Sequence, residues 1–550
     1  MINTQLFKFD SLSIFIGIFV GIFSLLTILY SAGFMRGRKN LALYYLYITL
    51  TFLASLGAVF CNNLVLFMVF WGFLALLLYL LIGFGQKENT AYTAKKTFII
   101  VGGTDAFMLL GVALIWSITK SFQMDKMSIA LNSQPAILAY LCLAAGAFAK
   151  AGAMPFHTWV PDAAEDAPTP VTAFLPASLD KLLGIYLLAR ISLDIFQMSP
   201  AMNTVLMTVG SITIVAAVMM ALIQHDMKRL LGYHAVSQVG YMVVGIGTGT
   251  LIGIAGGLFH MLNHAIYKSC LFFSAGAVEK KTGTTDLEKL GGFAKIMPIT
   301  FVTFLIAAFS ISGVPPFNGF ASKWMIYQGI IKTASAGSHL WIVWLIAAMF
   351  GSALTLASFM KLIHAVFLGQ PSKEVRNAGY EKKDTSPAMW IPTVFLAALC
   401  VVFGIFAYSL PLKLFIFPSL NKIPEFTGIW NSSLATTLMI LAIVLGFIIY
   451  LAGTVLKTRT TKPFIGGEDL DKMPDMRVSG TDFYNTIKEI GILKKIYSLA
   501  EKKRFDIYEI GVNFTLDFNR VLKMIHNGVL LTYMAWCLLG MGVLFYVLLR

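Results

Sequence analysis

Three residues spaced four apart, His260, His264 and Lys268, lie in the apolar run GLFHMLNHAIYKSCLFF (257–273). On a helix each step of four drifts only about 40° and climbs about 6 Å, so the three form one polar stripe. Imidazole takes and gives a proton near neutral pH, and an amine moved out of water holds its proton less firmly. A stripe of this kind has the chemistry of a proton wire, with waters bridging its gaps. A single buried histidine is better explained by packing against a hydrogen-bonding neighbour; three ionisable residues on one face favour the wire.

Other ionisable residues interrupt apolar runs in the same way. Lys150 precedes the sequence Gly152-Ala-Met-Pro-Phe156, and Lys323 follows Gly313-Val-Pro-Pro-Phe317. Asp180 and Lys181 are adjacent on one run, where they serve different neighbours. Before residue 457 there are 17 acids, of which only Asp105 and Asp180 sit well inside apolar runs; Asp105 is a candidate partner for Lys150. His234 lies just over one turn inside its run. Charge at membrane depth is expensive and marks function or pairing. By contrast, Lys228-Arg229 read as topology anchors at a helix start, Lys361 and His364 as helix-end residues, and His157 as interfacial. Proton movement is the only chemistry on offer. There is no Ser-His-Asp arrangement, HExxH motif or Gly-rich phosphate loop, and the five cysteines (Cys61, Cys142, Cys270, Cys400, Cys537) form no CxxC pair. No catalytic residue, cofactor, iron–sulfur cluster or metal is expected in this chain.

The elements that position these residues follow from composition. Of 550 residues, 57% are apolar and 13% charged, against about a quarter charged in soluble domains. That excludes a soluble enzyme, and it turns the net charge of +15 from a sign of nucleic acid into one of membrane topology. Fourteen apolar runs of spanning length, from 11–33 to 529–549, predict an all-α polytopic membrane protein; barrel-type alternation is missing. The opening segment lacks a cleavage site and reads as a retained first helix. Arg36, Arg38 and Lys39 after the first run, and Lys87, Lys95 and Lys96 after the third, place the N-terminus outside the cell membrane and those loops in the cytoplasm. The two Gly-x-x-Pro-Phe breaks, 161 residues apart, predict two broken helices in two matched halves, the pattern of a transport site built on internal repeats. The divisions are an N-terminal helix (1–40), a first repeat (41–200), a second repeat (201–370), peripheral spans (371–456), a lateral amphipathic region (457–528) and a final anchor (529–550). The lateral region holds 13 Lys/Arg and 10 Asp/Glu. Its 3–4 periodicity from about 481 gives, if unbroken to about 523, a surface helix of about 60 Å; Gly491 and Gly511 are the candidate breaks.

The segments AKAGAMPFHTWVPDAAEDAPTPVTAFLPAS (149–178), DMKRLLGYHAVSQVGYM (226–242), HMLNHAIYKSCLFFSAGAVEKKTG (260–283) and SISGVPPFNGFASKW (310–324) resemble a known family. They are similar to the antiporter-like, proton-conducting membrane subunits of respiratory complex I, of Mrp cation/proton antiporters and of energy-converting (group 4) hydrogenases. The resemblance covers most of 11–410, and the C-terminal part looks most like the hydrogenase-type large subunit. It implies inverted five-helix repeats and a mid-membrane axis in which Lys150 is the broken-helix lysine, His260, His264 and Lys268 the central relay, and Lys323 the lysine of the second break. It also implies that the lateral helix braces neighbouring subunits. The chain departs from the pattern at Trp71-Gly72, where the family usually has Trp-Glu, and at Trp324, where it often has Asp. LYSAGFM (29–35) resembles the end of the family's third helix, so two N-terminal helices are expected to come from a partner.

The implied function is proton translocation along Asp105, Lys150, Asp180, Lys181, His234, His260, His264, Lys268 and Lys323 within a complex-I-like or hydrogenase-like assembly. The expected partners are other membrane subunits, a hydrophilic redox module and the bilayer, without nucleic acid. The rivals are an Mrp-like Na⁺/H⁺ antiporter subunit, disfavoured by so few intramembrane oxygens for a hard cation, and a structural subunit that has lost pumping.

Overall fold

The structure, a computed structural model, describes residues 6–337, 339–426, 432–452 and 482–549. It is helical throughout, apart from two two-residue strands, Ile129–Ala130 and Phe196–Gln197, which pair in parallel. In chain order the helices are α1 (Ser11–Phe34), α2 (Leu41–Phe60), α3 (Leu64–Ile82), α4 (Thr90–Thr119), α5 (Gln134–Ala151), α6 (Trp159–Asp166), α7 (Thr169–Phe174), α8 (Asp180–Arg190), α9 (Pro200–Leu222), α10 (Met227–Gly247) and α11 (Leu251–Thr282). There follow α12 (Pro298–Ser312), α13 (Asn318–Lys332), α14 (Trp341–Leu362), α15 (Lys373–Ala378), α16 (Pro387–Ile405), α17 (Phe417–Leu420), α18 (Ser432–Ala452), α19 (Asn485–Lys488), α20 (Gly491–Glu501), α21 (Ile507–Ile525) and α22 (Leu530–Leu548).

Ten helical stretches among the described residues are long and apolar enough to cross a membrane. With α10, α11, the α12–α13 pair and α18, they match the fourteen runs of the sequence. α10 and α11 fall outside the apolar set because they carry the polar residues of interest, Lys228, Arg229, His234 and Gln238 on one and His260, Asn263, His264 and Lys268 on the other. The molecule is apolar outside and polar within. Leu25, Val69 and Ile346 are more than 60% exposed, whereas Lys150, Lys181, His260, His264 and Lys268 are fully buried. That is the distribution a hydrocarbon solvent imposes.

α11 is the axis of the first compact unit, residues up to 489. Every residue from Ile252 to Val278 is buried, against α10, α12, α13, α16, α7 and α8. Two sets of five spans make up most of this unit, with α11 in the second. The first comprises α2, α3, α4, α5–α6 and α7–α8; the second comprises α9, α10, α11, α12–α13 and α14. Five is odd, so the second set starts from the opposite face and runs inverted. In each set the broken helix is the fourth span. The breaks match in backbone geometry: Gly152 ends α5 with φ 78° and ψ 38°, and Gly313 ends α12 with φ 79° and ψ 33°. This left-handed conformation suits glycine. Each break also holds a cis X-Pro peptide, at Met154-Pro155 and Pro315-Pro316.

α6 is clamped by charge. Lys96 of α4 meets Asp162 at 2.7 Å, and Arg229 of α10 meets Asp162 at 3.2 Å and Glu165 at 2.8 Å. Lys228 is 1% exposed and bonds both Glu279 of α11, at 3.1 Å, and the Ala167 carbonyl. The anchoring role read for Lys228 and Arg229 is thereby corrected: they stitch α10 to α6 and α11.

Two further readings change. The run 171–190 contains a π-helical turn at Leu175–Leu179, for which apolar periodicity has no signature. In the lateral region, 457–481 lies outside the described residues, and the rest is not one rod. The second compact unit, 490–550, has α20 and α21 separated at 502–506, where Lys503 is left-handed (φ 56°) and Asp506 caps α21 by accepting from Tyr508 N. Gly511 lies inside α21, and Gly491 opens α20.

Gly152→Ala is expected to lower the thermal midpoint of the purified protein. A Cβ there would stand 2.5 Å from Val160 Cγ2 on a left-handed backbone, a cost of about 1–3 kcal/mol. Gly103→Ala, which meets nothing within 4 Å, is expected to leave the midpoint unchanged or raise it.

Candidate functional site

Lys150 is the penultimate residue of α5, two residues before the break at Gly152. Its ammonium makes no hydrogen bond among the described residues and lies 4.9 Å from the centroid of the Trp71 ring. The acids whose charge it feels are Asp180 and Asp105. A Cβ on Gly72 would stand 3.7 Å from Asp105 Oδ2. A carboxylate therefore stands beside residue 72, reaching across from α4.

Asp180 and Lys181 open α8 directly after the π-helical turn. The Lys181 ammonium lies 5.6 Å from the Trp159 ring centroid and 3.1 Å from where a Cβ on Gly152 would be. Trp159 serves the break twice, because its indole N–H also donates to the freed Ala149 carbonyl at 2.9 Å. At Lys181 the first half meets the second: its charge reaches both His264 and Lys268 on α11. The end of α7 is fastened to α11 there, with the Ser269 hydroxyl donating to Ala173 O at 3.1 Å, and the Ala177 backbone of the π-helical turn stands beside the His264 ring.

His264 adjoins Lys268 on one side and His260 on the other. His260 has Nδ1 2.9 Å from Ser322 Oγ and Nε2 3.1 Å from Gln238 Oε1. The next charge is Lys323, whose ammonium donates to the freed Ile311 carbonyl at 2.8 Å and lies 4.7 Å from the Tyr241 ring centroid. The Lys268 ammonium makes no hydrogen bond among the described residues and lies between the Phe272 and Phe359 rings, at 5.7 and 5.9 Å. His234 places Nε2 2.8 Å from Ser358 Oγ and is within the field of both Lys268 and Lys323.

Of the nine residues singled out in the sequence, Lys150, Asp180, Lys181, His234, His260, His264, Lys268 and Lys323 are buried and Asp105 is half-buried; the Lys150, Lys181, His264 and Lys268 nitrogens make no hydrogen bond among the described residues. Lys361 has a different role: its ammonium caps α9 through the Leu222 and Gln224 carbonyls, both at 2.8 Å. His157, expected at the interface, is buried. Sequence reasoning passed over the neutral residues around these groups, namely Gln238, Ser322, Asn263 (whose amide donates to Asn318 O at 2.9 Å) and the ring-bearing Trp159 and Tyr241, and gave Trp71 no contact with a cation. A signal was present for Gln238, a polar residue one turn from His234 in an apolar run. Nothing in spacing alone marks which aromatic ring will meet a cation.

The family described as "NADH:quinone oxidoreductase/Mrp antiporter, TM" matches residues 61–355. Among individual proteins, the Na(+)/H(+) antiporter subunit A1 of Staphylococcus epidermidis is 34% identical over 403 residues, covering 69% of this chain and 50% of that protein. The subunit of the same name from Staphylococcus haemolyticus is 34% identical over 421 residues, covering 72% and 52%. The chain thus spans about half the length of these relatives. Two solved structures share the fold. A chain of the membrane-bound sulfane sulfur reductase, an archaeal respiratory membrane complex, aligns with TM-score 0.80 and 23% identity over 98% of this chain and 89% of that one. A chain of the Mrp complex from Dietzia sp. DQ12-45-1b aligns with TM-score 0.68 and 24% identity over 76% and 84%.

Removing one partner from a buried charge cluster costs more than removing both. Asp180→Asn is therefore expected to destabilise the protein by on the order of 3 kcal/mol, with Asp180→Asn/Lys181→Met recovering most of the loss. Thermal unfolding in detergent reads both; a double variant as unstable as the single would show that the two charges do not interact.

Proposed function

Because the chain belongs to the NADH:quinone oxidoreductase/Mrp antiporter transmembrane family, we propose that it is a proton-translocating membrane subunit of a multi-subunit complex. One observation carries this reading: eight buried ionisable residues, with the half-buried Asp105, lie in the interior of the first compact unit together with two matched helix breaks. Protons are taken up near Lys150 or Lys181, cross between the halves at Lys181–His264, pass along Lys268 and His260, and leave near Lys323. Asp105, reaching from α4 to the space beside Gly72, takes the part of the glutamate that the family usually carries at that position. Redox chemistry belongs to partner subunits, which change the field at Lys150 and so drive the series in order. The chain lies in the plasma membrane with its N-terminus outside; the basic residues at the ends of the first and third spans support that orientation.

The names of the staphylococcal relatives support a second reading, in which the same proton path is coupled to sodium instead of to a redox partner. Radioactive sodium flux in liposomes holding the complex separates the two: proton-driven sodium movement favours exchange, and its absence alongside redox-driven acidification favours the first reading.

Lys268→Ala in the reconstituted complex is expected to cut proton translocation on the order of 100-fold, the scale of a lost proton-transfer group. Undiminished pumping would sink the relay. Asp105→Asn is expected to slow pumping as well, and Gly72→Glu in that background to restore it. Failure of Gly72→Glu to restore pumping would show that Asp105 acts otherwise than as a substitute for an acid at position 72.

A further inference from the structure

A membrane-facing groove of about 490 Å³ runs between α12 and α16, walled by Ile299, Val302, Ile306, Val394, Ala398 and Val401 among others. The wall is carbon almost throughout. Its hydroxyl, that of Thr303, already donates to the Ile299 and Thr300 carbonyls of its own helix. Val302 is 50% exposed and Val394 39% exposed, so no described part of the chain covers them. α12 and α16 pack directly on each other, and a helix about 10 Å across does not enter a groove between two touching helices. A single hydrocarbon chain does.

The end of the groove at Pro298 is marked by charge. Asp384 accepts from Ile299 N, Thr300 N and Thr300 Oγ1 at 2.7–3.1 Å, so its carboxylate is committed to the start of α12 and that helix end attracts no further anion. The chain just before it is pinned by Lys281, which donates to the Glu381 and Lys383 carbonyls at 2.8 and 2.6 Å. Lys382 and Lys383 directly precede Asp384, which bonds Ile299 N at the groove's end. Lys295 stands three residues before Pro298. All three lysines are exposed, and none makes an ion pair among the described residues. Against them in the segment 381–384 stands the exposed Glu381, Asp384 being already engaged. An apolar slot of acyl-chain width with a cationic rim at one membrane face matches one chemistry.

We propose that this groove binds an anionic phospholipid, with one acyl chain along α12 and α16 and the phosphate at Lys295, Lys382 and Lys383. Clustered juxtamembrane lysines favour anionic over zwitterionic headgroups. The experiment is native mass spectrometry of the complex released from mild detergent, supplied with phosphatidylglycerol or phosphatidylcholine of identical chains. Wild type is expected to retain one phosphatidylglycerol on this subunit. Lys295→Gln/Lys382→Gln/Lys383→Gln, all at the surface, is expected to weaken phosphatidylglycerol roughly 100-fold while leaving phosphatidylcholine unchanged. Ala398→Trp is expected to exclude both. Equal retention of the two lipids by wild type, or undiminished retention by Ala398→Trp, would overturn the site. So would a photo-crosslinker at position 398 that couples to another polypeptide instead of to lipid.

Discussion

Four ammonium groups, those of Lys150, Lys181, Lys268 and Lys323, share the interior of this fold with two intramembrane carboxylates, Asp105 and Asp180. Charge taken out of water without a counter-charge is the most expensive thing a membrane protein can contain, and the rest of the architecture is arranged around that cost. Each lysine lies over an aromatic ring, Trp71, Trp159, Phe272 with Phe359, and Tyr241 respectively. Ring quadrupoles attract a desolvated cation by up to about 2 kcal/mol and, unlike a carboxylate, do not trap it as a fixed pair. A group meant to take and release a proton gains from a weak, non-ionic partner.

The two helix breaks supply the remaining polar contacts, and they do so differently. At the second break the lysine itself satisfies a freed carbonyl, Lys323 on Ile311 O. At the first, Trp159 satisfies Ala149 O, which leaves the Lys150 and Lys181 ammonium groups without hydrogen bonds to described residues. The acids follow the same division. Both carboxylates stand in the first half with Lys150 and Lys181; the second half has three histidines and two lysines at membrane depth. Charge in the first half is balanced by charge, and in the second by dipoles, rings and hydroxyls. The inverted repeats thus share a backbone while differing in electrostatics, and the Lys181–His264 junction is where the two regimes meet.

Much of this was legible before any coordinates. The fourteen runs follow from apolarity alone, and the Gly-x-x-Pro-Phe pair located both breaks because glycine and proline are the residues a non-helical backbone needs. The His260, His264 and Lys268 stripe follows from the 3.6-residue period. What was not legible depends on contacts between distant segments. Lys228 looked like an anchor because its partner, Glu279, is 51 residues away in sequence. The π-helical turn at 175–179 is built from ordinary apolar residues and has no period of its own. The break at 502–506 has a signal in Asp506, a strong N-cap type, whereas the nearby Gly491 and Gly511 open and lie within helices. Gly72 taught the opposite lesson: the sequence showed an acid missing there, and the structure shows a carboxylate reaching the same space from another helix.

The short helix α6 ties the surface of the fold to its buried charge. Asp162 in its middle and Glu165 near its C-terminal end are gripped by Lys96 and Arg229. Trp159 at the other end touches both the freed carbonyl of the break and the Lys181 ammonium. Eight residues of helix span about 12 Å, and a helix that short does not bend between its ends. The ion pairs to α4 and α10 and the contacts of Trp159 with the break and with Lys181 are thus made by one short, rigid element, so the helix that covers the first break is fixed both by charge and by the aromatic ring that meets the buried ammonium.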